Sequence, residues 1–501
     1  MSLPRLLVTG ASGFVGRHLL EALKQDYLIY GLARRSQAAS GAPVHPNISW
    51  FQADIADAVE LGAVVRAIVE RGGADYVVHL AAHYDFTGEE HNEYWRTNVN
   101  GLRNVLVECR RLAPRRFVFP SSLAACAFPR PGRALDENSP PSGRHIYARS
   151  KAMGEHYLEN QFADIPSTTI RFAALYSDYC EYAPLFMFLR VWLSQAWNRR
   201  ILGGRGLSAI PYLHIRDGVD FIRRLLEREQ VQAPQDRLVA SPDSPISHRE
   251  LFEAATLHYH GERGRPLLMP RLLCRPGIWA RDWLGRVLGE RPFERTWMAD
   301  YIDQRMSVDG SATRRLLGFE PRARLDLLRR MPFLIHNMKN DPLGWSRRNH
   351  AALKEVRLRP HLRVHMLLKR REAEIGERLA AGLLSLGLGR RGGYDDLRAC
   401  HDDLVLALRH LIGAVASGER DAFGTFCRDL AARRHSAGVR AEDVCARLAK
   451  IDEAATATLA TEPAAAGLER EIHDHVSMLI RFGCDEVLEV YEQLGPAPNV
   501  G

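Results

Sequence analysis

At 501 residues, with a formal charge of +8 and 46% hydrophobic residues, the chain is too long for one ordinary domain and apolar enough for about two or three. No apolar run reaches the ~18–20 residues of a membrane-spanning helix, and Arg5 runs straight into apolar residues without a signal-peptide pattern. The eight cysteines are scattered singly, without C-x-x-C or metal-type spacing, which argues against disulfide scaffolds and zinc modules and for a reducing cytoplasm.

The first element is a short apolar run, Leu6 to Val8, that stops at Gly10. Gly13 and Gly16 follow at three-residue spacing, and then the helical pattern Leu19, Leu20, Leu23 begins. Strand, glycine turn and helix in this order suit a dinucleotide pyrophosphate: the turn lets backbone approach it and the helix N-terminus offers N–H groups. A second strand, Leu28 to Leu32, ends in Arg34 and Arg35 with no acid, which favours the extra phosphate of NADP over the ribose hydroxyls of NAD. The strand at Phe51 delivers Asp54 and Ile55, with the Asp54 carboxylate placed to meet the adenine amino group. A helix from Val59 to Glu70 leads to Tyr76-Val77-Val78-His79-Leu80-Ala81-Ala82, which reads as a buried parallel strand closing on small residues that let a cofactor lie on the backbone. A further helix carries Asn98, and the strand from Arg116 to Pro120 delivers Ser121 and Ser122. Alternating strands and helices at this spacing predict a doubly wound α/β domain.

The chemistry falls on Ser122 and on Tyr147-Ala-Arg-Ser-Lys151. Tyr147 and Lys151 are i and i+4 on a helix, so they share a face. The ammonium is expected to lower the phenol pKa toward neutrality and make it a working acid or base. A serine hydroxyl facing it would hold a substrate oxygen.

Residues 1–340 resemble the extended short-chain dehydrogenase/reductase family, which includes nucleotide-sugar epimerases and dehydratases and hydroxysteroid-dehydrogenase-like enzymes. The matching stretches are T-G-A-S-G-F-V-G (9–16), A-D-I (53–55), H-L-A-A (79–82), T-N-V-N-G (97–101), P-S-S (120–122) and Y-A-R-S-K (147–151). Arg171-Phe172, Tyr212 to Asp217, and Ser307 to Pro321 with its Leu-Gly-Phe-Glu-Pro ending fit later landmarks. The resemblance implies a Rossmann-type doubly wound sheet with a small substrate subdomain, drawn from about 175–212 and 240–305. It implies Tyr147 as acid/base, Lys151 on the nicotinamide ribose, and Ser122 on the substrate oxygen. Gly10, Ser12, Gly13, Phe14, Val15, Gly16, Asp54, Ile55, Leu80, Ala81, Ala82, Asn98 and Phe172 would then line the NAD(P) site, with Arg34 and Arg35 beside it.

Departures from the family bear on the substrate. Nucleotide-sugar members usually place an asparagine after the Arg171 strand and an arginine before the Tyr212 stretch; here stand Ala173-Ala174 and Ala209-Ile210-Pro211. Arg205 is the one candidate to compensate. A dianion needs paired charge, and the segment Pro184–Trp192 with Trp197 is apolar and aromatic. The expected substrate is therefore an apolar or amphipathic alcohol or ketone. The rivals are a nucleotide-sugar epimerase or dehydratase, and a nucleotide-binding redox sensor.

Residues 265–290 mix arginines with Trp279, Trp283 and leucines. Packing of the apolar face inward is the expected outcome, with peripheral contact to a membrane surface the alternative. Residues 347–371 hold nine Lys or Arg and one Glu, within a basic connector (341–371) read as a solvated face rather than a nucleic-acid site. Beyond it, Leu397–Val415, Val444–Leu459 and Leu468–Val490 repeat apolar residues at helical spacing, with breaks at Gly392-Gly393, Gly418, Gly438 and Pro463. They predict an all-α bundle over 372–501 for regulation or assembly, with a second copy or another protein as partner. His361, His365, His473 and His475 lack the Glu-x-x-His spacing of di-iron bundles, so no metal is expected.

Overall fold

The computed structural model describes residues 3–85, 89–228, 235–288, 293–349, 360–385, 394–417 and 420–495. The breaks expected at Gly392-Gly393 and Gly418, and the connector residues 350–359, lie outside them. The chain divides into two compact units: Met1–Met338 with Arg347–Val356, and Lys339–Ser346 with Arg357–Gly501.

The first unit is built on a seven-stranded parallel sheet. Its strands are β1 (Arg5–Thr9), β2 (Leu28–Ala33), β3 (Ile48–Gln52), β4 (Tyr76–His79), β5 (Arg116–Ser122), β6 (Ser167–Phe172) and β7 (Gln235–Ala240). They lie in the order β7-β6-β5-β4-β1-β2-β3. Alternate residues of a strand point to opposite faces, and here both faces are covered. Leu6, Val8, Val78 and Val118 pack with helices α1 (Phe14–Leu23) and α6 (Ile215–Glu227) on one side. Leu7, Val77, Phe117 and Phe119 pack with α2 (Ala58–Glu70) and α3 (Leu102–Leu112) on the other. That double burial explains why the strands read as nearly unbroken apolar runs. The helix expected from Val59 starts at Ala58, because the Asp57 carboxylate accepts from the Val59 and Glu60 N–H groups at 2.9 and 3.0 Å.

Between β5 and β7 lie α4 (Ile146–His156), α5 (Ala183–Trp192) and short strand pairs; α7 (His248–His260) and α8 (Arg271–Leu288) follow β7.

The second unit is helical. Its described helices include α9 (Pro360–Arg370), α10 (Glu372–Ser385), α11 (Tyr394–Ser417), α12 (Asp421–Ser436), α13 (Ala441–Ala460) and α14 (Met478–Leu494). Leu404, Leu408 and Ile412 share one core with Leu448, Ile451 and Leu459 and with Val476 and Val487, so the predicted apolar faces meet. Among the described residues no helix is long and apolar enough to cross a membrane, and no group of three or more His, Cys, Asp or Glu could hold a metal ion.

Candidate active site

The sheet order reverses between β1 and β4, which opens a crevice at the carboxyl ends of these strands. The glycine turn occupies that point. Gly10 has φ +68°, and a Cβ there would lie 2.5 Å from the Ala81 nitrogen; a Cβ on Gly16 would lie 2.5 Å from the Gly10 oxygen. Only glycine fits either place, so both positions stay free of side chains. No side chain caps α1, so its first-turn N–H groups remain to be satisfied from the crevice. Thr9 ties the two strand ends together: its Oγ1 accepts from the Ala81 N–H at 3.3 Å and sits 2.9 Å from His79 Nδ1. This is a cradle that fits a dinucleotide pyrophosphate.

Ser122, Tyr147 and Lys151 come together beside the turn. Ser122 ends β5, Tyr147 lies in the first turn of α4, and Lys151 follows one turn later. The Lys151 ammonium donates to the Pro120 carbonyl at 2.7 Å and stands 5.9 Å from the Tyr147 ring centre. Burial pushes the Tyr147 phenol up to about 12, and a hydrogen bond from Ser122 works the other way. The expected lowering of Tyr147 toward neutrality by Lys151 is therefore not found: burial sets the phenol's shift, and Lys151 is not among its causes. Burial also brings Lys151 down to about 8, against the pull of Glu155 one turn further on.

A cleft of about 880 Å³ holds all three, together with Gly10, Gly13, Phe14, Val15, Gly16, Leu80, Ala82 and Phe172. Ser12, Arg34, Arg35, Asp54, Ile55, Ala81 and Asn98 are not part of its wall. Arg35 reaches back to the glycine turn, donating to the Ser12 carbonyl at 2.6 Å, while Arg34 stands 3.7 Å from Glu93. The Asp54 carboxylate, expected on adenine, accepts from Arg96 at 2.6 Å and from the Ala56 N–H at 2.9 Å. Asn98 is likewise engaged. It sits in a π-helical stretch, Tyr94–Gly101, accepts from the His83 N–H at 2.6 Å and donates to Ser150 at 3.0 Å. It braces the segment after Ala82 against α4.

Several wall residues were not singled out from the sequence. Tyr84 packs tilted against Tyr147, ring centres 4.7 Å apart, and hydrogen-bonds Tyr182. His145 caps α4 through the Ala148 N–H at 3.3 Å and stacks 5.5 Å from Trp297. His248 packs 4.6 Å from Phe188, which also meets Phe293. Position two residues before Tyr147, at the helix start, was a readable cue for His145; nothing local marks Trp297 or Phe293.

A parallel sheet of this order, with a bare glycine turn at its switch point and a Ser–Tyr–Lys cluster at the next strand end but one, has the architecture of the extended short-chain dehydrogenases/reductases. Comparison with known proteins agrees: residues 6–240 match the NAD dependent epimerase/dehydratase family. A putative dihydroflavonol 4-reductase of Synechocystis sp. is 33% identical over 135 residues, 26% of this chain and 36% of that protein. The dTDP-D-glucose 4,6-dehydratase of Homo sapiens is 25% identical over 236 residues, 45% of this chain and 66% of that protein. The chain thus spans between 36% and 66% of the length of these two relatives. The structure of UDP-glucose 4-epimerase from Thermotoga maritima, solved with UDP-glucose, matches 68% of this chain and 99% of that one, with a TM-score of 0.51 at 19% identity. That likeness is one of fold.

Proposed function

We propose that residues 1–340 form an NAD(P)-dependent oxidoreductase, NADP-preferring, that acts on a hydroxyl or carbonyl group of an apolar or amphipathic small molecule. The observation that carries this reading is the convergence of Ser122, Tyr147 and Lys151 in one cleft with the glycine turn, below a wall that includes Phe188, Trp192, Phe293 and Trp297. With its pyrophosphate on the turn, a dinucleotide would supply the hydride chemistry through its nicotinamide. This chain's residues handle the proton: Ser122 and Tyr147 hold the substrate oxygen, and Tyr147, which keeps its proton at neutral pH, gives it to a carbonyl oxygen as charge develops there. Lys151 places a positive charge beneath and is oriented by the Pro120 carbonyl.

The apolar substrate class rests on the cleft's charges. Ala173, Ala174, Ala209, Ile210 and Pro211 line it where a diphosphate would need donors. Its arginines, Arg281 and Arg348, face Glu294 at 3.0 Å and Glu181 at 3.6 Å. Arg205 is exposed beside Asp303 and is not part of the wall. The NADP preference is supported by Arg35, held at the glycine turn with no acid at the end of β2. The helical unit is assigned to assembly or regulation, and none of the eight cysteines is in a disulfide, which suits a reducing cytoplasm.

The test is titration of the purified protein with NADPH and NADH, followed by turnover of a hydrophobic ketone and of a UDP-sugar. Tighter, exchangeable binding of NADPH and net oxidation of it by the ketone are expected. Firmly retained NAD with UDP-sugar turnover and no net redox change would replace this reading by an epimerase or dehydratase.

A further inference from the structure

Helix α8 has two apolar faces. Cys274, Gly277, Ile278 and Arg281 line the cleft. On the opposite side Leu272, Trp279 and Trp283, spaced i, i+7 and i+11 and thus in one stripe, are 89%, 63% and 58% exposed. The expectation that this segment packs its apolar face inward therefore holds for one side only. The outward stripe is extended by its neighbours: Leu273 beside it, and Leu267 and Leu268 in a strand paired with Ile201–Gly203. Trp197, four residues before that partner strand, is 79% exposed and also borders the cleft.

The charge around this stripe is predominantly positive. Arg200, Arg263, Arg265, Arg271 and Arg275 are exposed around it, against Glu262 and Asp300, the latter 3.9 Å from Arg275. Exposed tryptophans and leucines among arginines form the surface that settles at a lipid headgroup boundary, with the rings in the interface and the guanidiniums on anionic phosphates. A second copy of the chain would bring the same arginines against each other, which disfavours self-association through this face. Among the described residues no helix is built to cross a bilayer, so the contact is peripheral.

We propose that the outer face of α8, with Trp197 and Leu267–Leu268, docks on an anionic phospholipid surface, so that the cleft behind the helix receives its amphipathic substrate from that surface. The second half of this statement rests on the substrate class given under Proposed function; the docking itself does not.

The experiment is co-sedimentation of the full chain with vesicles of phosphatidylcholine alone or mixed with phosphatidylglycerol, at low and high salt. The protein is compared with Trp279→Glu/Trp283→Glu and with Arg271→Gln/Arg275→Gln, each first shown to be folded by circular dichroism. The expected result is salt-sensitive binding to the mixed vesicles. It should weaken roughly fivefold per arginine removed and at least about tenfold in the tryptophan double variant. Reduction of a soluble ketone should be unchanged in both. Absence of binding at low salt, or binding equal in all three proteins, overturns the docking. So does a vesicle-free change of oligomeric state in the tryptophan variant without vesicle binding, which assigns the face to a second copy. Vesicle binding that follows the pattern in a protein inert toward ketones leaves the docking standing and overturns the substrate reading alone.

Discussion

Arg171 and Glu155 form an ion pair with both side chains fully buried, Nη2 to Oε2 at 2.6 Å and Nε to Oε1 at 3.2 Å. Ser121 donates to the same carboxylate at 2.6 Å, so the serine next to Ser122 is committed to structure. Glu155 follows Lys151 by one helical turn and is the charge that holds the lysine pKa up against burial. Replacing Glu155 by Gln strands Arg171 in the core, a loss of about 3–5 kcal/mol. It also lets Lys151 titrate at lower pH. Urea unfolding should show the destabilisation, and the lysine limb of the pH–rate profile should move down. A wild-type unfolding midpoint would contradict the account of the pair.

In the proposed mechanism Tyr147→Phe removes the proton donor, and it leaves the glycine turn untouched. Turnover should fall by about 10²–10⁴-fold, while NADPH affinity stays within about threefold, since the hydroxyl is one contact among many. Steady-state rates and a fluorescence titration on the same preparation separate the two effects. Retained turnover would mean that the reacting proton moves through another group; Ser122, hydrogen-bonded to Tyr147, and Tyr84, its ring centre 4.7 Å from that of Tyr147, are the candidates.

These two sites differ in how far the sequence disclosed them. The glycine turn and Tyr147/Lys151 are local patterns, because φ +68° at Gly10 and one helical turn between two side chains are set within a few residues. The sheet order was legible as a class for the same reason, since apolar runs between helices require a covered parallel sheet. What the sequence could not disclose is assembled across distance. Trp297 meets His145 across about half the domain's length, and Asn98 turns away to His83 and Ser150 because a π-helical stretch shifts its face. The Tyr147 pKa depends on how dry its surroundings are, and residue spacing carries no measure of that. Helix α8 was ambiguous for a related reason: a pattern with apolar residues on two sides does not say which side the domain covers.

Arg35 donates to the Ser12 carbonyl at 2.6 Å and so stands at the turn where the adenosine end of a dinucleotide begins. Under the proposed NADP preference, replacing it with Gln would remove a charge-assisted contact to the 2′-phosphate of NADPH. The loss should be about tenfold or more in NADPH affinity, with NADH affinity nearly unchanged. Parallel titrations of the two nucleotides measure it. An equal loss for both would reduce Arg35 to a brace for the turn.

Three histidines of this unit are buried in the neutral form. Burial lowers His79 to about 3 and His145 and His248 to about 4. Between pH 6.5 and about 4 the unfolded chain therefore binds protons that the folded chain refuses. Their contribution to stability is complete above pH 6.5 and is lost on acidification, at about 1.4 kcal/mol per pH unit for each histidine. Asn also caps helices well, so His145→Asn should retain the start of α4 while removing one titration. Denaturation at several pH values should show a slope reduced by one histidine's share. An unchanged slope would show that His145 is protonated alike in both states.

Arg348 and Asn349 decide where the chain can be cut. Asn349 donates to the Tyr179 carbonyl at 2.6 Å, and Arg348 stands over the Tyr179 ring at 4.4 Å and 3.6 Å from Glu181. Glu181 is nearly enclosed, and its other partners are Arg17, in the first turn of α1, at 2.9 Å and Ser177 at 2.8 Å. Ending the chain after residue 345 takes away one of its two cations and a hydrogen bond of the neighbouring loop, although it leaves every Rossmann strand in place. A loss of about 1–3 kcal/mol follows from a buried carboxylate with fewer partners. NADPH binding should weaken with it, because Arg17 also donates to the Ser12 carbonyl at the glycine turn. A chain ended after residue 356 keeps both residues and should match the full-length protein in thermal midpoint and NADPH affinity. Equal behaviour of the two truncations would show that Glu181 is satisfied without Arg348.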